Sequence, residues 1–242
     1  LDDVNSLVFP SAVSTGLLEV GFYCQKIGKL PTDFVNFVED TSSKGTILVS
    51  FGSNADWDYA PDELLSLVVE ALNRLSQYRI VFAYNGEKKR IRSIGQHIKI
   101  TAWAPQVEIL QHNKTVLFIS HGGQKSVKET ICGGVPAVYI PLFAEQAHNG
   151  ELARKAGFAE TLHKNRLSSD LIEKVVRKVA GIQNTLTLFM TSSDNTLCRL
   201  RNFFHFVGKA RNYEYLPILC LYSPLGFVKT CFILLSHKHL AM

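Results

Sequence analysis

The chain has 242 residues, of which 46% are hydrophobic and 19% are charged, so a folded core is expected and disorder throughout is excluded. The formal net charge of +5 favours anionic ligands, but the basic residues are scattered, so nucleic acid is not an expected partner. The five cysteines form no CxxC motif and no metal-ligand spacing with histidine. They are therefore expected to be mostly buried thiols, with no disulfide framework and no metal site.

Residues 1–45 contain the turn-forming residues Pro10, Gly16, Gly28 and Pro31, which predict a loop-like linker. The chain begins at Leu1, with no initiator methionine and no charged-then-apolar signal segment. This beginning suggests the downstream part of a longer product, and residues 1–45 would then be the lead-in from an upstream domain.

Residues 46–183 alternate short β-branched runs with helix-period stretches, the pattern of parallel βαβ units. The expected strands are Thr46–Phe51, Arg79–Tyr84, Ile98–Trp103, Val116–Ser120 and Val135–Ile140. Helices are expected from Pro61, from near Gln124 and from near Ser168. The pattern predicts an α/β domain with an open, Rossmann-like parallel sheet.

The βαβ rhythm stops after about Asn184, and residues 184–242 are expected to form an irregular, aromatic-rich tail. Residues 216–235 have about the length that spans a bilayer, but Pro217, Pro224 and Lys229 interrupt them. A packed hydrophobic tail and a membrane-associated segment both stay open.

The most informative stretch begins where the expected strand Val116–Ser120 delivers His121 to the carboxyl edge of the sheet, where ligands of open α/β folds bind. Gly122 and Gly123 allow the backbone to approach a ligand. The helix that starts near Gln124 directs its free N–H groups to the same place. Together these features predict an anion site, most simply for phosphate.

Two residues of that helix extend the predicted site from phosphate to nucleotide. Ser126 can donate a hydroxyl hydrogen bond to a phosphate oxygen, and Glu129 follows at i+3, where a carboxylate suits the ribose diol. Neither GxGxxG nor GxxxxGK[ST] occurs in the chain, which disfavours the usual dinucleotide and P-loop sites.

A base site is expected at the end of the strand that starts at Ile98. Trp103 offers a flat ring on which a base can stack, and the amide of Gln106 suits the edge of a pyrimidine. A lone tryptophan after a strand is more often a core residue, so a core position for Trp103 is the structural alternative.

These residues carry a resemblance to a known family. Trp103-x-Pro-Gln106, His121-Gly-Gly-x-x-Ser126-x-x-Glu129 and Pro141-Leu-Phe-x-Glu145-Gln146 resemble the UDP-glycosyltransferase signature, and Val49–Ser53 resembles the first strand and loop of that family's C-terminal domain. The resemblance covers roughly residues 15–183. In detail it is most similar to the UDP-glucuronosyltransferases of animals, nematodes among them.

The resemblance implies the C-terminal domain of a two-domain GT-B glycosyltransferase, which binds a UDP-sugar while the other domain binds a small lipophilic acceptor. The UDP-sugar is a co-substrate, and no cofactor is implied. Carried over by position, the resemblance assigns Trp103 and Gln106 to uridine, His121, Gly123, Ser126 and Ser53 to the diphosphate, Glu129 to the ribose, and Glu145 and Gln146 to the sugar hydroxyls. A plain helix start remains the alternative for Glu145 and Gln146.

The sequence also departs from the family pattern. Glu145 stands where Asp is commoner, and Lys125 stands where Asn is frequent, so UDP-glucuronate and UDP-glucose both stay open as donors. The family's catalytic His–Asp pair belongs to the N-terminal domain and has no counterpart in this chain, so the isolated chain is expected to be inactive. His121 is not assigned that role.

Three functional hypotheses follow: the donor-binding half of a glucuronosyltransferase, an inactive UDP-binding module or partner subunit, and a soluble glucosyl- or sterol-type branch. For the first, the resemblance implies a parent on the lumenal side of the endoplasmic reticulum membrane with a role in detoxification. One glycosylation sequon, Asn113-Lys114-Thr115, fits that location. A membrane and a second subunit, identical or different, stay open as partners.

Overall fold

The structure, a computed structural model, describes residues 24–180 and two short strands at residues 219–222 and 228–232. The chain divides into two compact units, Leu1–Asp194 and Asn195–Met242. All the residues predicted to form the site belong to the first unit.

The first unit contains a six-stranded, all-parallel sheet with the strand order β3-β2-β1-β4-β5-β6. The strands are β1 Thr46–Ser50, β2 Arg79–Ala83, β3 Ile98–Thr101, β4 Thr115–Ser120, β5 Ala137–Tyr139 and β6 Ala159–Thr161. The strands β2 and β3 lie on one side of β1, and the next strand in sequence, β4, pairs with the other side of β1. This reversal creates a topological switch point between β1 and β4, the place where open α/β sheets bind ligands.

Within residues 24–180, six helices connect the strands or precede and follow the sheet. They are α1 Thr32–Val38, α2 Asp62–Asn73, α3 Gln106–Leu110, α4 Gln124–Gly133, α5 Gln146–Lys155 and α6 Ser169–Ala180. Short 3-10 turns lie at Trp57–Tyr59, Lys88–Arg90 and Lys164–Arg166.

The core lies on both faces of the sheet. Every residue of β1 is buried, and Ile47, Leu48 and Val49 have no exposed surface, as expected for a strand covered on both sides. One face of α2 buries Leu65 and Leu72 against the sheet, and α2 packs beside α6. Full burial of such a side chain stabilises the fold by about 1.5–3 kcal/mol.

The predicted α/β architecture is confirmed, with all five expected strands present at slightly different ends. The helices expected from Pro61, Gln124 and Ser168 are also present, and Ser168 Oγ accepts a 3.1 Å hydrogen bond from Leu171 N at the start of α6. The sequence patterns did not predict α3 and β6, which are short, and they indicated α5 only through the alternative helix start at Glu145 and Gln146.

Residues 32–38 differ from the loop expected for the lead-in, because they form α1. Pro31 precedes the helix and Asp33 lies in its first turn, both of which favour a helix start. Phe34 and Val38, one turn apart, are buried. Two apolar residues are too few to predict a helix from periodicity alone.

The expectation that the cysteines are free thiols is wrong for two of them. Cys24 and Cys132 form a disulfide, with their Cα atoms 5.6 Å apart. The two residues are 108 positions apart in sequence, so no local spacing signals the bond. The bond forms because the segment around Cys24 packs against the C-terminal part of α4 in the folded chain.

Within the second unit the structure describes an antiparallel pair, β7 Leu219–Tyr222 and β8 Val228–Phe232. Both strands fall inside residues 216–235, and the rest of the expected irregular tail lies outside the described residues. Among the residues that are described, no helix combines the length and the apolar character needed to cross a bilayer.

Candidate functional site

The predicted site residues follow different strands of one parallel sheet, or lie in the helices that begin there. Ser53 follows β1, Trp103 follows β3, His121 follows β4, and the loop with Glu145 follows β5. Since parallel strands all end at the same edge, these loops converge at the carboxyl edge of the sheet. Gln106, Gly123, Ser126, Glu129 and Gln146 lie in α3, α4 and α5 or just before them.

His121 lies at the switch point, between the loop after β1 and the start of α4. A Cβ atom added at Gly52 would lie 2.9 Å from His121 Cε1, and one added at Gly123 would lie 2.5 Å from His121 Nε2. Only glycine fits at either position without displacing the ring. Ser120 Oγ lies 3.2 Å from His121 Nδ1 and restrains the ring from the other side.

The charge of His121 depends on its surroundings. Burial lowers the pKa of the half-buried imidazole below its ordinary value, and the nearby negative charge of Glu145 opposes this shift in part. The lowered pKa favours the neutral form of His121. In that form a ring nitrogen can donate a hydrogen bond to an anion.

The N-terminus of α4 provides further donors beside His121. Gly123 precedes the helix and makes no side-chain cap, so the first-turn N–H groups receive no capping acceptor from it. This arrangement is typical of anion sites at helix N-termini. The turn at Gly122 and Gly123 leads into α4 where the sequence placed a helix start, and the anion site itself stays a prediction.

Sequence reasoning missed Asn149, which supports this turn. Its Nδ2 donates a 3.0 Å hydrogen bond to the carbonyl oxygen of Gly122, and Asn149 is only 9% exposed. The bond joins the first turn of α5 to the loop after β4. The only sequence signal was the position of Asn149 three residues after Gln146, which places both on one side of a helix.

Ser126, predicted to donate to a phosphate oxygen, is 6% exposed. A buried chain of hydrogen bonds anchors its backbone: Tyr139 Oη donates to Thr130 Oγ1 at 3.0 Å, and Thr130 Oγ1 donates to the carbonyl oxygen of Ser126 at 2.7 Å. This chain fixes the first turn of α4 against β5.

Gln106 and Glu129, predicted to contact different parts of a nucleoside, contact each other. Gln106 Nε2 donates a hydrogen bond to Glu129 Oε2. Burial raises the pKa of the Glu129 carboxyl group, although this hydrogen bond and the positive charge of Lys125 oppose the shift. The pair joins the start of α3 to the middle of α4.

Trp103 is 73% exposed, which excludes the core position that was its structural alternative. Thr101 Oγ1 donates a 2.6 Å hydrogen bond to the carbonyl oxygen of Trp103 and holds the backbone there. The other tryptophan, Trp57, is the core residue, packed edge-on against Phe51 and Phe82. An exposed indole on a fixed backbone can serve as a stacking surface.

Glu145 and Gln146 do start a helix, because α5 begins at Gln146 with exposed Glu145 as its N-cap. Gln146 is 3% exposed, and its Oε1 accepts hydrogen bonds from the N–H groups of Leu142 and Phe143 at 2.9 and 3.2 Å. Ala144 has a φ of 52°, which is costly for a non-glycine residue and is a feature of functional loops. Gln146 therefore shapes the loop that presents Glu145.

The loop after β1, which carries exposed Ser53, is held by two residues that the sequence did not reveal. Asn85 Oδ1 accepts a 3.1 Å hydrogen bond from Trp57 N, and Arg90 donates to the carbonyl oxygens of Trp57 and Ala60. Both come from the segment after β2. Their role depends on contacts between separate loops, which no local pattern indicates.

The described part of the chain has surface pockets, two of which have the following linings. One of about 180 Å³ lies beside the predicted ribose residue, and its lining residues are Gln25, Val107, Gln111, Gln124, Lys125, Lys128, Glu129 and Cys132. A larger one of about 460 Å³ lies at the amino edge of the sheet beside Asp40 and Arg79, and contains none of the predicted site residues.

The chain is similar in sequence to known proteins. Residues 2–194 match the family model described as UDP-glucoronosyl and UDP-glucosyl transferase. The chain is 34% identical over 155 residues to a UDP-glucuronosyltransferase of Pleuronectes platessa, covering 64% of this chain and 32% of that protein. It is 31% identical over 172 residues to UDP-glucuronosyltransferase 1A6 of Mus musculus, covering 71% of this chain and 31% of that protein.

The relatives differ in the sugar that their names specify. A 2-hydroxyacylsphingosine 1-beta-galactosyltransferase of Homo sapiens is 31% identical over 176 residues, covering 72% of this chain and 32% of that protein. The chain thus spans about a third of the length of the curated relatives it matches.

Solved structures support the fold. The glycotransferase of kitacinnamycin aligns with a TM-score of 0.57 at 18% identity, covering 79% of this chain and 47% of that one. CalG4, the calicheamicin glycosyltransferase, aligns with a TM-score of 0.55 at 19% identity, covering 79% and 44%. Both are GT-B glycosyltransferases. The chain belongs to the UDP-glycosyltransferase family and has the parallel α/β fold of a GT-B glycosyltransferase domain.

Proposed function

We propose that this chain binds the UDP moiety of a UDP-sugar at the carboxyl edge of its sheet. The observation that carries the proposal is the position of His121 at the switch point, held between two glycines and beside the N-terminus of α4. A neutral imidazole beside a helix N-terminus is suited to a diphosphate. Ser53, Gly123 and Ser126 complete this part of the proposed site.

The nucleoside would lie along α3 and α4. Exposed Trp103 would stack on the uracil ring, a contact that contributes about 1–3 kcal/mol for a base on an aromatic side chain. Gln106 would contact the base and Glu129 the ribose hydroxyls. Because these two side chains already bond to each other, the ligand would meet a preformed pair.

The sugar would lie toward α5, where Glu145 and Gln146 would contact its hydroxyl groups. We propose UDP-glucuronate or UDP-glucose as the donor and a small lipophilic molecule as the acceptor in the whole protein. In transfer, negative charge grows on the leaving UDP, and the groups around His121 would stabilise it. The acceptor site and the catalytic base would come from a part of the parent that this chain does not include.

The proposed location of the parent is the lumenal side of the endoplasmic reticulum membrane. The Cys24–Cys132 disulfide supports it, since disulfides persist in oxidising compartments. Carbonate extraction of membranes that contain the parent would distinguish an integral protein from a peripheral one. A soluble parent would favour the glucosyl- or sterol-type branch.

The test is calorimetric titration of the chain with UDP, uridine and ADP. We expect UDP to bind more tightly than uridine, because only UDP carries the diphosphate, and more tightly than ADP, because of the base contacts. Substitution of His112, which precedes β4 at the opposite edge of the sheet, with alanine provides the control and should leave all three affinities unchanged. No heat of binding with millimolar UDP would refute the proposal.

The alternative is a module that binds UDP, or pairs with full-length subunits, without catalysis. This alternative is motivated by the length of the chain, which spans about a third of the relatives it matches. A turnover assay with a UDP-sugar and a simple phenol separates the two. Acceptor-dependent release of UDP by the chain alone would eliminate the purely binding version.

A further inference from the structure

Asn113 lies at the tip of a tight turn just before β4. The turn is closed by hydrogen bonds from Thr115 N to His112 O at 3.0 Å and from Lys114 N to His112 Nδ1 at 3.2 Å. Asn113 is exposed, and among residues 24–180 no hydrogen bond involves its side chain. Its amide group therefore faces solvent on a well-defined backbone.

This turn is on the opposite end of the sheet from the candidate site. Asn113 precedes the amino end of the six-residue strand β4, and His121 follows its carboxyl end. At about 3.3 Å per residue, the strand separates the two by roughly 20 Å. A large group attached to Asn113 would project away from the ligand-binding loops.

The third residue of the triplet has a different environment. Thr115 is 8% exposed, its hydroxyl donates to the carbonyl oxygen of Ile109, and it pairs with Thr46 of β1. An enzyme that reads the Thr115 hydroxyl could reach it only before β4 joins the sheet. Any modification that requires this residue must precede folding.

The Cys24–Cys132 disulfide is an independent observation that points to the same compartment. It joins positions 108 residues apart, on segments that only the folded first unit brings together. Such bonds are typical of proteins that fold in the oxidising lumen of the secretory pathway. Transfer of glycans to Asn-x-Ser/Thr triplets takes place in that lumen.

We propose that Asn113 is an N-glycosylation site that is modified before β4 pairs with β1. The co-reactant is a lipid-linked oligosaccharide diphosphate. Asn113 Nδ2 forms a bond to the anomeric carbon, the bond from that carbon to the diphosphate oxygen breaks, and the lipid diphosphate leaves with the electron pair. The amide nitrogen gives up one proton to a base of the transferase.

The test is translation of the chain, fused behind a cleavable signal sequence, in the presence of microsomes. We expect one glycan-sized decrease in gel mobility, reversed by peptide N-glycosidase, because the sequence contains a single Asn-x-Ser/Thr triplet. Asn113→Gln should abolish the shift. Thr115→Ser should retain it, since serine keeps the hydroxyl and can still donate to Ile109 O.

A second arm tests the order of events. The purified chain with its disulfide formed should not be modified by solubilised oligosaccharyltransferase, whereas the reduced and unfolded chain should be. Protease-protected, translocated chain without a glycan would overturn the proposal. So would a glycan that persists in Asn113→Gln, or equal modification of the folded and unfolded chains.

Discussion

Gln106, at the start of α3, is hydrogen bonded to Glu129 in α4. Glu129 is half-buried, and burial raises the pKa of its carboxyl group. The ionised form of Glu129 therefore costs the fold stability at neutral pH. If Glu129 binds the ribose, its carboxylate serves ligand binding at the expense of stability.

Glu129→Gln should separate these two effects. Because the folded-state pKa lies above its unfolded value, the carboxyl group favours folding at acid pH, and this contribution is lost as the pH rises through the folded pKa. The neutral amide has no such dependence, so the variant should melt at a higher temperature than the parent at pH 7. The difference should shrink as the pH falls toward 4.

The same variant should bind nucleotides less tightly. A hydrogen bond to a charged group contributes about 1.5–3 kcal/mol, so UDP and uridine should both lose about tenfold or more in affinity. Thermal melting over pH and calorimetry with both ligands provide the readouts. Unchanged affinity for uridine would remove Glu129 from the ribose site.

Trp103→Ala should weaken UDP binding by about 1–3 kcal/mol through the loss of stacking. The melting temperature should change little, because the side chain is 73% exposed. Trp57→Ala is the matched control: Trp57 is 6% exposed, and truncation of a core tryptophan costs about 3–5 kcal/mol of stability. A large fall in melting temperature for Trp103→Ala, with UDP affinity intact, would contradict the stacking role.

His121→Ala should weaken the binding of UDP by about tenfold or more and that of uridine very little. The reason is that only UDP carries the diphosphate, and a hydrogen bond to a charged group contributes about 1.5–3 kcal/mol. Equal losses for the two ligands would mean that His121 does not contact phosphate.

The affinity for UDP should also depend on pH through His121. Burial lowers its pKa in the free protein, and a bound diphosphate would raise it by favouring the imidazolium. Binding would then take up a proton, so affinity should increase as the pH falls from the raised pKa toward the lowered one. UDP itself titrates near pH 6, so the relevant quantity is the difference between the parent and His121→Ala. Parallel pH profiles for the two proteins would rule out this linkage.

Asn149→Ala should reduce UDP affinity more than uridine affinity, because Asn149 supports the Gly122 carbonyl beside the proposed diphosphate site. Asn149→Asp should have the larger effect, since a carboxylate of the same size would face a carbonyl oxygen with no hydrogen to donate. Calorimetry with both ligands measures the ratio of affinities. A purely structural role for Asn149 would lower stability and leave that ratio unchanged.

The sequence by itself determined the parallel α/β class, because β-branched runs such as Thr46–Ser50 and the apolar face of α2 are local patterns with a fixed period. It also predicted which loops meet, since strands of a parallel sheet end at one edge. The tertiary structure decided which side chains touch. The Cys24–Cys132 bond, the Gln106–Glu129 contact and the support of Gly122 by Asn149 join residues between 23 and 108 positions apart. No spacing rule reaches that far, because such contacts depend on how separate helices and loops pack over the sheet.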